Sequence, residues 1–344
     1  MRQSQQTTTM VPTSTLLVLF ALAPSSCAHQ FTTRPHLSSS LRPAVSLSAR
    51  APPIQALALP VVTPDGILPL ALCSGAIGLA AQLGLTGLFR ASKDPVLSGA
   101  SGYTAHQVVA FFLMAFVAAL GLVGWLNPPA VAATAAGRLL APSNSARWLG
   151  AMLLGMLVAW DIPTSIAIPR LRKPDVLTHH IAMAAVAFVG AFFLPTRYGF
   201  YYMGVAELSS IPLTAYDLFE RSAEVAGVES ASSGTDMDKA RAKRLRSIRD
   251  ACRAVAAVAF VVVRAFDFTR VTLTRFVPDA LSVLGSAATA ASFRLPIQFM
   301  LVSSVGFVGL QLYWFSLFIR ISRAQSAREK RKAQRESRKA AASE

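Results

Sequence analysis

Seven polar side chains stand within or at the edges of long apolar runs: His106, Asp161, the adjacent pair His179 and His180, Glu207, Asp217 and Arg264. A histidine pair at the start of a helix suits three tasks: metal ligation, general acid–base chemistry, and hydrogen bonding to a polar lipid headgroup. Metal is the weakest of these. Membrane di-iron enzymes need several histidine boxes, and this chain has five histidines, of which His29 and His36 lie near the N-terminus. An isolated carboxylate in hydrocarbon is costly, so Glu207 has to face a protein interior, a partner or a water-filled cavity. Packing roles stand beside these functional ones. The histidines can satisfy helix ends, Glu207 can bond Ser209, Ser210 or Arg264, and Arg264 and Asp267, three apart on one helix, can neutralise each other.

Composition sets the class of element that must carry these groups. With 53% hydrophobic residues, 15% charged residues and a mean hydropathy of +0.47, the 344-residue chain reads as an all-α, polytopic membrane protein. Helices are required because hydrocarbon offers backbone groups no hydrogen-bonding partners, and the apolar runs are too long for barrel strands. The net charge of +16 does not call for nucleic acid, since the basic residues concentrate in one loop and the C-terminal tail. Cys27, Cys73 and Cys252 show no CxxC spacing and suit neither a disulfide framework nor a zinc site. No phosphate-binding loop, dinucleotide fingerprint or internal repeat is visible, and no metal site or resident cofactor is expected.

In chain order, residues 1–28 read as a signal-like leader ending at Ser26-Cys27-Ala28, and 29–64 as a transit-like or disordered segment rich in arginine and serine. Together they resemble the bipartite plastid-targeting leaders of algae with complex plastids, which implies a plastid membrane; a signal followed by a linker implies the endoplasmic reticulum. About seven transmembrane helices follow: an extra span at 66–89, then 107–126, 148–168, 177–194, 199–218, 251–272 and 296–319. Pro163 is expected to kink the third. The segment from Glu220 to Asp250 reads as a solvated, partly disordered loop, and 324–344 as a basic tail able to contact anionic lipid. Lys and Arg gather on one side of this threading, which places the loop and the tail on the inside face. His106, Asp161, His179, His180 and Asp217 then lie toward the inside half, with Glu207 and Arg264 near mid-membrane.

The residues from Ser101 to His106 at the head of a span, the pair Trp160-Asp161, the pair His179-His180, the segment Ala206-Glu207-Leu208-Ser209-Ser210-Ile211-Pro212 and a later Arg264-bearing helix together resemble the TLC-domain family. That group includes the translocating-chain-associating membrane protein, the longevity-assurance ceramide synthases and the neuronal ceroid lipofuscinosis membrane protein. The resemblance covers about 99–323 and implies that the last six helices form a bundle around a lipid-accessible cavity with the histidine pair inside. It implies lipid binding or handling in membrane lipid homeostasis, with His106, Asp161, Glu207, Asp217 and Arg264 contacting the lipid. The alternative it implies is a ceramide-synthase type acyltransferase, with acyl-CoA as co-substrate and His179 and His180 as catalytic residues. The longevity-assurance signature continues with H-D-x-x-D, whereas this chain continues to Tyr216-Asp217-Leu218-Phe219-Glu220, which is nearer the less characterised branch.

Overall fold

Gly75, Gly121, Gly155 and Gly204 fix how closely the helices of this protein approach, and the architecture is best followed through them. The computed structural model describes residues 64–341; the expected leader and all but the last residue of the transit-like segment lie outside the described residues. The described residues contain helices and no strand. Two units divide the chain, one of Leu59–Ile319 and one of Met1–Ala58 with Arg320–Glu344. In the second, the described part is a helical stretch.

In order, the first unit contains α1 (Pro64–Ala91), a short turn of helix at Pro95–Ser98, and α2 (Ser101–Leu126). Next comes α3 (Asn144–Gly155), which runs without a break through a π-helical segment, Met156–Asp161, into Ile162–Ala167. Then follow α4 (Pro174–Phe192), α5 (Arg197–Met203), a 3-10 turn at Val205–Ser209, α6 (Ser210–Ser233) and α7 (Asp236–Ala259). The chain stays helical through two further π segments, Phe260–Asp267 and Thr272–Phe276, to α8 (Val277–Gly285), and ends in α9 (Ala291–Ala341). Two of the three π segments stop just before a proline, Pro163 or Pro278. Proline lacks the N–H that an α-helix needs at that point, and a wider turn absorbs the lost bond without ending the helix.

Among the described residues, five helices are long and apolar enough to cross a membrane: Asp65–Ala91, Ser101–Leu126, Asn144–Ala167, Pro174–Phe192 and Ala291–Arg320. The other two expected spans fall on interrupted helices. The stretch 199–218 breaks at Gly204, whose backbone is not helical (φ −131°, ψ −69°), and passes through the 3-10 turn before α6. The stretch 251–272 alternates between α and π geometry. Leu68, Leu72, Phe112, Ile181 and Val302 expose large apolar side chains, as helices do where hydrocarbon is the solvent.

The segment Glu220–Asp250 corrects the expectation of a solvated, partly disordered loop. It forms a helical hairpin of α6 and α7. Gly234 adopts the left-handed conformation (φ 68°) that ends α6, and Thr235 caps α7 by accepting from the Asp238 N–H. Alanine, glutamate, lysine and arginine, read from composition as disorder, are strong helix formers when a cap and a partner helix are present. The hairpin is clasped to the chain before α2. Val96, Ala226 and Ala242 form a small core, and Arg241 Nη2 donates to both Asp94 carboxylate oxygens at 2.8 and 2.6 Å. That hydrogen-bonded guanidinium holds the Asp94 carboxyl below its usual range.

Two apolar cores organise the rest. One gathers Tyr198, Tyr201, Tyr202, Phe268 and Phe276 around α5, and the other gathers Leu149, Met152, Trp160, Val117 and Met203 around α3. They meet where α2 crosses α5. A Cβ added to Gly121 would stand 2.4 Å from the Gly204 Cα, so both positions exclude any side chain. Gly121→Ala is therefore expected to cost about 3 kcal/mol or more, because backbone rather than a flexible side chain must move. Thermal unfolding in detergent checks this beside Gly84→Ala, where nothing lies within 4 Å and no loss is expected.

Candidate functional site

The π segment of α3 carries Trp160 and Asp161, and the widened turn delivers both into the interior. Trp160 is fully buried and Asp161 is 6% exposed. Asp161 Oδ1 lies 3.3 Å from His106 Nε2 of α2, and Oδ2 lies 2.6 Å from His180 Nδ1 of α4. One carboxylate thus links three helices. His180 Nδ1 faces the carboxylate at ion-pair distance. His106 is fixed on every side: Nδ1 meets Thr164 Oγ1 at 3.2 Å, and the ring stacks on Trp160 with centroids 5.0 Å apart. Its orientation is set whichever nitrogen holds the proton.

His179 turns the other way from its neighbour. Its ring meets Phe307 and Trp314 of α9 edge-on, each at 5.5 Å between centroids, and its Nδ1 is buried without a hydrogen-bond partner. His180 keeps 23% of its side chain exposed. Because Nδ1 faces the carboxylate, Nε2 is the nitrogen left to meet another group.

A second polar group lies on the 3-10 turn and the first π segment after α7. Glu207 Oε2 accepts from the Ser210 hydroxyl at 2.6 Å and from Arg264 Nη2 at 3.2 Å. Arg264 also donates from Nε to Ser209 Oγ at 2.7 Å and from Nη2 to Ser210 Oγ at 2.9 Å. Both charged side chains are about nine-tenths buried, and such a pair resists disruption because removing one partner leaves the other charge stranded. Asp267, expected to neutralise Arg264, instead accepts from the Tyr201 hydroxyl at 2.8 Å and pairs with Arg270.

Of the seven expected site residues, His106, Asp161 and His180 form one group and Glu207 and Arg264 another, with His179 beside His180 and turned toward α9. The seventh, Asp217, lies on α6 with its carbonyl 3.5 Å from the Tyr103 hydroxyl. Thr164 is a further member at the His106 end. Phe307 and Trp314 are further members at the His179 end, and their spacing of seven, two helical turns, is the signal that puts both on one face of α9. Between α4 and α9, Met183, Val186, Tyr202, Met300, Ser304 and Phe307 help line a cavity of about 20 Å³, room for one water rather than a lipid chain. Among the described residues, no group of three or more His, Cys, Asp or Glu side chains is placed to hold a metal ion.

The arrangement can bind a polar group through His179 and His180, and Asp161 can orient or charge-stabilise His180 as it gains a proton. Neither a curated protein nor a solved structure matches the chain. A family model described as the TLC domain matches residues 104–320, well over half of the chain and every residue of both polar groups. The chain belongs to the TLC-domain family and is a multi-pass membrane protein of this lipid-related group.

Proposed function

We propose that the protein binds and handles a membrane lipid, with the headgroup held at His179 and His180 and the acyl chains against the apolar helix faces. One observation carries this reading. His179 Nδ1 is buried among aromatic rings with no hydrogen-bond partner, beside a carboxylate-held histidine that remains partly exposed. An unsatisfied buried nitrogen costs about 1–3 kcal/mol, which a hydroxyl or ammonium group of a lipid would recover. Asp161, Glu207 and Arg264 keep the polar end of the site charged and ordered at a depth where isolated polar groups are costly.

The pairing of Asp161 with His180 favours a second reading, acyl transfer. His180 Nε2 would take the proton of a lipid amine or hydroxyl as that group attacks the thioester carbonyl of acyl-CoA. The C–S bond then breaks, and the proton passes to the departing thiolate.

Deleting the protein from its native cells and restoring it as wild type, His179→Ala or His180→Ala at matched abundance tests both readings by lipid profiling. Loss of complementation by either variant is the expected result. Acyl transfer predicts disappearance of one acylated lipid class with build-up of its acceptor, whereas handling predicts redistribution without build-up. Full rescue by both variants would overturn both readings.

A further inference from the structure

We propose that α1, which lies outside the matched residues 104–320, belongs to the polar site as its positioning element, setting Trp160 and His106 against Asp161. From sequence, α1 is only an additional span. In the structure one of its faces, marked by Gly75, Gly78 and Gln82 at helical spacing, makes three contacts in succession with the elements that carry the site.

The first contact is backbone to backbone at the entrance to the π segment. A Cβ on Gly75 would stand 2.5 Å from the Gly155 carbonyl oxygen, and one on Gly155 would stand 1.8 Å from that of Ala71. Ser74 Oγ lies 3.0 Å from the Met152 carbonyl. Small residues that permit such an approach, backed by a hydroxyl, are how helices lock together where no hydrophobic effect drives them. The turn that presents Trp160 and Asp161 thus starts from a clamped point.

The second contact is at Trp160 itself. A Cβ on Gly78 would lie 3.1 Å from Trp160 Cγ and 3.3 Å from Cδ2, so the missing side chain is the space that the indole occupies. The third is at α2. Gln82, 3% exposed, donates from Nε2 to the Gly102 carbonyl at 2.9 Å, one turn before His106. A helix that merely packed in lipid would have no reason to bury an amide there. The same helix therefore seats the ring on which His106 stacks and ties down the turn from which His106 projects. Gly84 and Gly87 have nothing within 4 Å, so those two positions carry no such constraint.

The test uses the full-length chain labelled with 5-fluorotryptophan, with the Trp160 fluorine resonance identified by its loss in Trp160→Phe. His106→Ala removes the stacked ring and shifts that resonance. If α1 sets the stack, adding His106→Ala to Gly78→Val should shift it by less than half as much as in wild type, and the same loss should appear with Gln82→Leu, which keeps the volume. In Gly87→Val the whole shift should remain. A whole shift in either Gly78→Val or Gln82→Leu would overturn the proposal, even if those variants accumulate poorly. The readout does not involve lipid, so it decides the role of α1 whether or not the lipid reading survives.

Discussion

Cells expressing Asp161→Leu should contain far less of the protein than cells expressing Asp161→Asn, and neither variant should restore the lipid profile of deleted cells. Asp161 is the sole carboxylate joined directly to both His106 and His180 among the described residues, and three helices meet at it. Leucine leaves two imidazoles without their hydrogen-bonding and ion-pair partner in a largely buried setting, a loss of about 1–3 kcal/mol for each. Set against a total stability of about 5–15 kcal/mol, that is enough to lower accumulation severely. Asparagine keeps the shape and one oxygen acceptor, so folding should be largely retained. It lacks the charge that would stabilise a protonated His180, and lipid function should fall. Abundance on quantitative blots and the lipid profile, measured together, separate the two effects. Full complementation by Asp161→Asn would make this carboxylate a packing residue.

The Glu207–Arg264 pair gives the other large effect, and here the signature is non-additivity. Glu207→Leu strands the Arg264 guanidinium, and Arg264→Met strands the Glu207 carboxylate, each at about 3–5 kcal/mol. The double variant strands neither and should lose clearly less than the sum of the two, because residues in direct contact couple. Unfolding midpoints of the four proteins in detergent give the coupling directly, and strict additivity would mean that the pair does not interact. Glu207→Gln, which keeps an acceptor for Ser210 and Arg264 but not the charge, should lose less than Glu207→Leu.

Much of this organisation is legible in the amino-acid sequence, and the parts that are not have physical reasons. Hydropathy identifies a helical membrane protein because hydrocarbon permits little else, and an unusual polar residue in an apolar run marks His106, Asp161, Glu207 and Arg264 as candidates. The pairing among them is another matter. That Asp161 takes both His106 and His180 depends on a π segment whose geometry follows from Pro163 and from the clamp of α1 at Gly155, and neither leaves a periodic trace. Pro163 reads from sequence as a kink, and the widened turn before it is not visible there. The hairpin of α6 and α7 is hidden by its charge content, because solvated loops and salt-bridged helices share a composition. Arg170 with Glu224, and Arg241 with Asp94, show that several of those charges are paired across elements. His179 and His180 look like one unit in sequence. Adjacent helical residues point about 100° apart, and so they face different partners.

A photoactivatable lipid with its reactive group next to the headgroup, incorporated in native membranes and mapped by peptide mass spectrometry, examines the lipid reading at its source. Lipid held at the histidine pair predicts adducts concentrated on the peptides containing His179–His180 and Phe307–Trp314, reduced at least severalfold in Asp161→Asn at equal abundance. Adducts spread evenly over outward residues such as Leu68 and Phe112, and unchanged by Asp161→Asn, would contradict it.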